Sequence, residues 1–276
     1  MRALAPLLGI GAAAFAAAAA AAACEAFDDG GSSDGGVGDG GAGDGAAAPE
    51  AGPAPDGGPA PDGGTFCSGR AGVFCDDFEQ PGRGLDGGPP PWDFIRLTAG
   101  PGITGELGST AAMPSRHLWI RGSPKPPEAA MLLKAVPASA PKLRVSMRAA
   151  FDEILGQNGA VTFARLELRG TGDRVQVSVI REDATRVRLF LQTFVPATPS
   201  GIAYGKASLD IRRPYEIELE LDRSTPAVRL FVSGAETAAI ATAVPNADAD
   251  LALGYSAYGT DCTGFGLHLD DVLVTK

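Results

Sequence analysis

The sequence predicts an all-β protein: a two-sheet antiparallel jelly-roll sandwich, preceded by a signal peptide and a disordered linker. Three observations between residues 65 and 276 predict the sandwich. Apolar and polar side chains alternate with period two, short turn signals separate the alternating segments, and no stretch of 12 residues has convincing helical periodicity. Alternation of this kind indicates strands with one buried and one wetted face.

Residues 1–23 have the pattern of a signal peptide. Arg2 supplies a positive start, Leu4 to Phe15 carry most of the hydrophobicity, and an Ala run leads to Cys24. The Ala-rich side chains are too small, and the stretch too early in the chain, for a membrane-spanning helix followed by polar chain. We therefore expect it to be absent from the mature protein.

The segment Ala21-Ala22-Ala23-Cys24 resembles the bacterial lipobox, in which small residues precede a Cys that is lipidated and becomes the new N-terminus. It departs from that pattern at Ala21, where Leu is usual, so ordinary signal-peptidase cleavage nearby is the alternative. The resemblance implies a lipoprotein of the bacterial cell envelope or surface, with the lipid bilayer as partner of its acyl chains.

Residues 24–64 are the predicted linker. From 25 to 64 there are 14 Gly and five Pro in 40 residues, and the hexapeptide Pro-Ala-Pro-Asp-Gly-Gly occurs twice in tandem. Apart from Phe27 and Val37 there is almost nothing larger than Ala to bury, so nothing offsets the entropy of ordering the chain. A Gly-rich coil of this length spans about 35 Å, which suits a spacer between a membrane and a domain.

The net charge of −10 lies mostly in the linker. Residues 25–64 hold nine carboxylates and no Lys or Arg, whereas residues 65–276 hold 24 acidic and 22 basic side chains. A nearly neutral domain has no strong field of one sign to attract a charged partner. Because a basic aromatic stripe is also lacking, we expect no nucleic-acid binding.

The 212 residues from 65 to 276 suffice for one large β-sandwich domain. In the third of its alternating segments the pattern is broken by Phe190. The short turns favour hairpins over βαβ units. The clearest alternation covers 143–151, 175–179, 187–191 and 215–221, and the turn signals lie at 156–159, 170–173, 181–185, 222–226 and 233–234.

Paired segments within this domain resemble laminin-G-like domains of the concanavalin A-like lectin and glucanase superfamily. In Tyr215–Asp222 an aromatic opens a strand that runs into an acidic turn, and in Ala227–Gly234 the return strand ends in a residue followed by Gly. The first and last strands of such domains are similar to Phe74–Glu79 with Trp92 downstream, to Leu251–Gly254 and to Leu269–Val274. The galactose-binding type of jelly roll is the alternative fold.

The same superfamily contains glycoside hydrolases, which carry Glu-x-Asp-x-Glu on one strand with the outer carboxylates as nucleophile and acid/base. Glu216, Glu218 and Glu220 have this spacing and fall on one face. A retaining pair needs carboxyl groups about 5 to 5.5 Å apart, and residues four apart on a strand are separated by roughly 13 Å. The middle residue is Glu, so a solvated acidic face balanced by Arg is the favoured interpretation.

Like-charged side chains come together if the first and last strands are neighbours, as the resemblance implies. They would raise one another's pKa unless a cation or Arg intervened, and Ca²⁺ prefers carboxylate and carbonyl oxygens. The alternative is that they cap backbone groups at strand ends or bulges. The candidate ligands of a structural Ca²⁺, the one cofactor considered, are Asp76, Asp77, Glu79, Asp270 and Asp271.

With Cys24 lipidated, an odd number of cysteines remains in an oxidising compartment. A disulfide between Cys67 and Cys75 is favoured, and pairing of Cys262 with either of them is the alternative. His117 and His268 belong to no spaced ligand cluster, so each is expected to be a packed or surface imidazole.

Sugar-recognising sandwiches display aromatic side chains on a sheet face or on loops. We therefore expect a surface-anchored, non-enzymatic binding domain for a polysaccharide or glycoprotein. The alternatives are a glycoside hydrolase using Glu216 and Glu220, and a purely structural envelope protein. The candidate aromatic residues are Trp92, Trp119, Tyr204, Tyr255, Tyr258 and Phe265, of which Trp92, Trp119, Tyr255 and Tyr258 are the principal ones.

Overall fold

A computed structural model of the chain describes residues 66–79, 92–97, 103–122, 129–137, 140–155, 160–195, 198–258 and 264–276. These residues lie in the compact unit Pro59–Lys276. The predicted signal peptide, the linker, Cys24 and Cys262 are outside the described residues. Within the described ranges, no helix is long and apolar enough to cross a membrane.

The described residues form 15 β-strands in two sheets. Sheet A has eight strands in the order β13-β12-β11-β6-β15-β4-β3, with β1 paired to β15. Its strands are β1 (Phe74–Asp76), β3 (Ile103–Gly108), β4 (His117–Gly122), β6 (Lys142–Leu155), β11 (Tyr215–Asp222), β12 (Ala227–Val232), β13 (Ala235–Ile240) and β15 (Gly264–Thr275).

Sheet B has seven strands in the order β10-β9-β8-β7-β14-β5-β2. Consecutive strands form hairpins from β7 to β10, while β14 enters between β7 and β5. Its strands are β2 (Phe94–Leu97), β5 (Ala129–Val136), β7 (Ala160–Leu168), β8 (Arg174–Arg181), β9 (Arg186–Val195), β10 (Thr198–Asp210) and β14 (Ala249–Tyr258).

The predicted all-β, two-sheet antiparallel jelly-roll sandwich is confirmed. The four alternating segments fall in β6, β8, β9 and β11, and the turns after residues 168, 181, 222 and 232 connect hairpins as expected. Hairpins joined by crossing strands are typical of jelly rolls.

The core lies between the sheets and is built from the apolar half of each alternation. Phe151 of β6 and Phe163 of β7 meet across it in an edge-to-face contact, with ring centroids 5.4 Å apart. Both side chains are fully buried. Phe–Phe contacts of this geometry add stability beyond the area they bury, so this pair ties the two sheets together.

Gly254 of β14 is required by close backbone approach. Its φ is +139°, and a Cβ at this position would lie 2.1 Å from the carbonyl oxygen of Ala130 on β5. The residue sits where the pairing of β14 with β7 shifts register between Leu253 and Ser256. A side chain here would force the two strands apart.

The predicted disulfide between Cys67 and Cys75 is confirmed, with the two Cα atoms 5.7 Å apart. It joins the chain entering the domain to β1. The predicted adjacency of the first and last strands is also confirmed, because β1 pairs with β15 and places Asp76 opposite Val272.

Candidate functional site

Each sheet has an outer face, which lies opposite the core. On β11 of sheet A, Ile217 and Leu219 point into the core, and Glu216, Glu218 and Glu220 occupy the outer face, as alternation predicts. Their exposure falls along the strand: Glu216 is exposed, Glu218 is half-buried and Glu220 is 2% exposed.

Glu220 is held by cationic side chains of the neighbouring strands. Its carboxylate accepts hydrogen bonds from Arg144 Nε at 2.8 Å and from Arg229 Nη1 at 2.9 Å, and Lys142 Nζ lies 3.5 Å away. Burial alone would raise the pKa of Glu220, but the hydrogen bonds from Arg144 and Arg229 outweigh it and lower that pKa. A general acid needs a raised pKa, so the lowered pKa disfavours Glu220 as the acid, and the engagement of both its oxygens by Arg144 and Arg229 favours the structural interpretation.

The outer face of sheet B carries a row of amide and hydroxyl groups. Gln176 Nε2 donates to Gln192 Oε1 at 2.6 Å, and the hydroxyls of Thr162 and Ser178 lie 2.7 Å apart. Gln176, Thr162 and Ser178 are all 2% exposed or less. This corrects the expectation of a wetted outer face at these positions.

Several polar atoms of this face have no hydrogen-bond partner among the described residues. They are Gln176 Oε1, Arg165 Nε, Arg174 Nε and Arg188 Nε. Arg165 is the cross-strand partner of Gln176, and Arg174 packs its guanidinium 4.2 Å from the ring centroid of Phe194. The sheet B face therefore holds both unsatisfied acceptors and unsatisfied donors at buried positions.

Aromatic side chains continue the face toward its edge strand. Phe190 and Tyr204 are cross-strand partners with ring centroids 5.6 Å apart. Phe190 is 6% exposed, whereas Tyr204 is 59% exposed and neighbouring Ile202 is 54% exposed. Phe190 thus interrupts the apolar–polar alternation because its aromatic side chain lies on the outer face.

The other predicted aromatic ligands lie elsewhere. Trp92 is 2% exposed and donates Nε1–H to Asp76 Oδ2 at 2.6 Å, and Tyr255 is 1% exposed and packs against Phe265. Their burial corrects the expectation that these rings are displayed to a ligand. Trp119 is half-buried on the outer face of sheet A, and the side chain of Tyr258 is outside the described part of the chain.

The structure brings together two histidines that the sequence analysis treated as separate. His117 Nδ1 lies 2.7 Å from the carbonyl oxygen of Ser115, and His117 Nε2 lies 2.8 Å from His268 Nδ1. Because a carbonyl oxygen only accepts, His117 donates to Ser115 and accepts from His268. Both rings are fully buried, and burial is the main reason that the pKa of His117 is lowered.

Asp152 completes this histidine chain. Its Oδ2 lies 2.8 Å from His268 Nε2, and His268 holds the pKa of Asp152 below its usual value. This short contact is not a linear hydrogen bond. Trp119 covers His268 in a stacked contact with ring centroids 5.6 Å apart, and this closed arrangement supports a packing role.

The carboxylates proposed for Ca²⁺ do approach one another at the β1–β15 edge, but protein donors occupy oxygens of Asp76, Asp77, Glu79 and Asp270. Asp76 accepts from Phe78 N and Trp92 Nε1, and Asp77 accepts from Glu79 N and Cys67 N. No group of three or more His, Cys, Asp or Glu side chains among the described residues is arranged to hold a metal ion. The contacts are those of the alternative, in which the carboxylates cap backbone groups.

Asp270 and Asp271 show the predicted effect of crowding. Burial, with the charges of Asp271 and Glu79, raises the pKa of Asp270 to about 7 although Ser115 Oγ donates to it at 2.6 Å. Burial is also the main reason that the pKa of Asp271 is raised. Asp271 has φ +52°, at the point where the pairing of β15 with β6 shifts register.

No protein-family model and no curated protein matches the chain. Solved structures with a similar fold include the cellulose induced protein Cip1, at 14% identity and TM-score 0.47 over 67% of this chain and 90% of that one. LamAcat from Zobellia galactanivorans has 11% identity and TM-score 0.45 over 74% and 97%. A SAP-like pentraxin from Limulus polyphemus has 12% identity and TM-score 0.40 over 63% and 75%. These likenesses concern the fold alone.

Proposed function

We propose that this chain is a surface-anchored, non-enzymatic binding protein that recognises a polysaccharide or the glycan of a glycoprotein on the outer face of sheet B. The observation that carries the proposal is Gln176 Oε1, an acceptor in a side chain that is 2% exposed and without a partner among the described residues. An unsatisfied buried polar atom costs about 1 to 3 kcal/mol. A ligand hydroxyl that donates to this atom would remove that cost.

The neighbouring groups have the chemistry that saccharides require. Arg165 and Arg174 present donors, and the exposed ring of Tyr204 offers an apolar surface against which a sugar ring can stack. Rows of these side chains cross the four strands β7, β8, β9 and β10. Strands lie about 4.8 Å apart, so a row measures about 14 Å, a length that suits several linked sugar units.

Two other functions remain as alternatives. A glycoside hydrolase using Glu216 and Glu220 would lose β-glucan or galactan hydrolysis in Glu216→Gln or Glu220→Gln, and the lowered pKa of the buried Glu220 is unfavourable to that role. A purely structural envelope protein would bind no glycan.

The proposal includes export and anchoring. The signal peptide and lipobox-like segment would place acyl chains on Cys24, and the linker would hold a laminin-G-like domain away from the bilayer. Labelled palmitate should enter the wild-type chain and not Cys24→Ser when each is expressed in a bacterium. Labelling that persists in Cys24→Ser would contradict lipidation at this residue.

A glycan array probed with the full chain tests the binding function, followed by calorimetric titration with the oligosaccharide that gives the strongest signal. Tyr204→Ala and Gln176→Met should each weaken binding about ten-fold or more. Val73→Ala is the matched control, because Val73 is an exposed apolar residue outside this face. An array without signal would overturn the proposal in favour of the structural alternative, and unchanged binding in both variants would place the site elsewhere.

A further inference from the structure

A second cleft lies on the outer face of sheet A, where the chain enters the domain. Its volume is about 480 Å³, which is within the range of small-molecule sites. The floor is formed by β11, β6 and β15, and the walls by Phe231 of β12 and by the segment that begins at Phe66. The cleft is on the opposite side of the sandwich from the proposed sheet B site.

The charges that line this cleft balance. Three guanidinium groups, of Arg70, Arg144 and Arg148, face the three carboxylates of Glu216, Glu218 and Asp271. Arg144 is already committed, because its Nε is 3.6 Å from Glu218 and 2.8 Å from Glu220.

The remaining charged groups are not joined by hydrogen bonds or ion pairs among the described residues. Arg148 and Glu216 are cross-strand partners, and Arg148 and Arg70 act on Asp271 through their charges, which oppose the effect of burial on its pKa. The guanidinium of Arg70 stacks 3.7 Å from the ring centroid of Phe66. The cleft therefore has donors and acceptors without hydrogen-bond partners in the described part of the chain, side by side on its floor and between aromatic walls.

The backbone directs one of these acceptors into the cleft. Asp271 has φ +52° at a β-bulge, between the pairs Asp270–Arg148 and Leu273–Ser146. Non-Gly residues rarely adopt this conformation, and bulges often re-aim a side chain beside a functional site. The result is a carboxylate in the cleft lining, near the guanidinium of Arg148.

We propose that this cleft is a second ligand site, and that it takes a neutral saccharide unit. Because three carboxylates and three guanidinium groups balance, the cleft has no net charge that would favour an anionic or a cationic ligand. A neutral sugar carries hydroxyls that donate to Glu216 and Asp271 and accept from Arg148. The rings of Phe66 and Phe231 provide apolar walls for its C–H face.

The disulfide makes one wall of the site dependent on redox state. Phe66 and Arg70 flank Cys67, which is bonded to Cys75 on β1. Arg70 N also donates to the carbonyl oxygen of Cys67 at 3.3 Å. Reduction would release this wall while leaving the strands of the floor paired, so affinity at the cleft should fall without loss of the sheet B site.

The test is titration of the full chain with laminarihexaose and cellohexaose as neutral probes and a galacturonate hexamer as the acidic probe. Chemical shifts of the labelled chain give the location of binding. We expect a neutral probe to shift resonances of Phe231, Glu216 and Asp271, with affinity falling about ten-fold in Phe231→Ala and in Arg148→Gln. Reduction, or a Cys67→Ala/Cys75→Ala chain, should weaken the same binding several-fold.

The sheet B variant Tyr204→Ala keeps this test separate from the proposed function. Binding at the cleft should be unchanged in Tyr204→Ala, and binding at sheet B should be unchanged in Phe231→Ala. Melting curves establish whether each variant is folded. If Phe231→Ala is not folded, Arg148→Gln replaces it as the cleft variant. Failure of both neutral probes to shift cleft resonances, or stronger shifts there with the acidic probe, would overturn the inference whatever happens at sheet B.

Discussion

Glu220 on sheet A and Gln176 on sheet B occupy comparable positions, since both are polar side chains buried on the outer face of a central strand. Glu220 is surrounded by Arg144, Arg229 and Lys142, so its charge is fully compensated within the protein. The amide of Gln176 donates one hydrogen bond to Gln192, and its oxygen is an acceptor without a partner among the described residues.

This difference separates stabilising groups from candidate recognition groups. A polar side chain whose partners are all supplied by the protein contributes to the fold. A buried polar atom without a partner reduces stability, and binding is one function for which proteins accept that cost. The number of polar residues on a face therefore indicates function less well than whether their polar atoms have hydrogen-bond partners within the protein.

The largest effect should follow from breaking the sheet A network. Glu220→Gln keeps the shape of the side chain and removes the charge that compensates Arg144 and Arg229. We expect the free energy of unfolding to fall by about 3 kcal/mol, at the low end for broken buried ion pairs because the Arg side chains keep access to water. Urea unfolding measures it, with Glu216→Gln, an exposed residue of the same strand, as the control near zero. Equal midpoints for the two variants would show that the network is not structural.

A second, pH-dependent effect is expected at Asp270. Because the folded-state pKa of about 7 is above the ordinary value of 3.8, the folded protein binds more protons than the unfolded chain between these values. Stability is thus lost as the pH rises from about 4 to about 7. The side chain of Asp270→Asn cannot ionise. The free energy of unfolding of this variant should therefore equal that of wild type near pH 4 and be higher by about 2 kcal/mol at pH 8.

Unfolding curves at a series of pH values measure this difference. Asp248→Asn, a substitution of an exposed carboxylate, is the control and should show no such trend. A constant difference between Asp270→Asn and wild type across the range would contradict the assignment.

A smaller effect of opposite sign is expected on sheet B. Gln176→Met removes the unpaired acceptor and retains a side chain of similar length. The free energy of unfolding should stay the same or rise by about 1 kcal/mol, while glycan binding weakens. Gln192→Met, which removes the acceptor already used by Gln176, should instead lower stability, because it leaves the Gln176 amide donors unpaired. If both variants lost stability equally, the distinction between the two faces would fail.

Alternation was sufficient to predict four of the strands, β6, β8, β9 and β11, because a side chain's face follows directly from its position along a strand. It correctly assigned Glu216, Glu218 and Glu220 to one face. The Cys67–Cys75 bridge was also predictable, since the two residues are eight apart. The adjacency of β1 and β15 followed from the family resemblance rather than from local pattern.

Alternation does not reveal what covers a face or which distant strands are neighbours. Gln176 and Ser178 alternate as solvent-facing residues do, yet they are buried. His117 and His268 are 151 residues apart and meet because β4 pairs with β15. The break in the pattern at Phe190 was the one local sign of the sheet B face.

No effect at all is expected from calcium at the β1–β15 edge. Both oxygens of Asp76 and of Asp270 accept hydrogen bonds from protein donors, so a cation would have to displace them. The raised pKa of Asp270 also means that this carboxyl is partly protonated at neutral pH, and a protonated carboxyl is a poor Ca²⁺ ligand. Melting midpoints in excess Ca²⁺ and in chelator should therefore be equal. A higher midpoint in Ca²⁺ that disappears in Asp270→Asn would restore the calcium site predicted from the sequence. The carboxylates of this edge would then bind a ligand, whereas the carboxylate of Glu220 stabilises the fold.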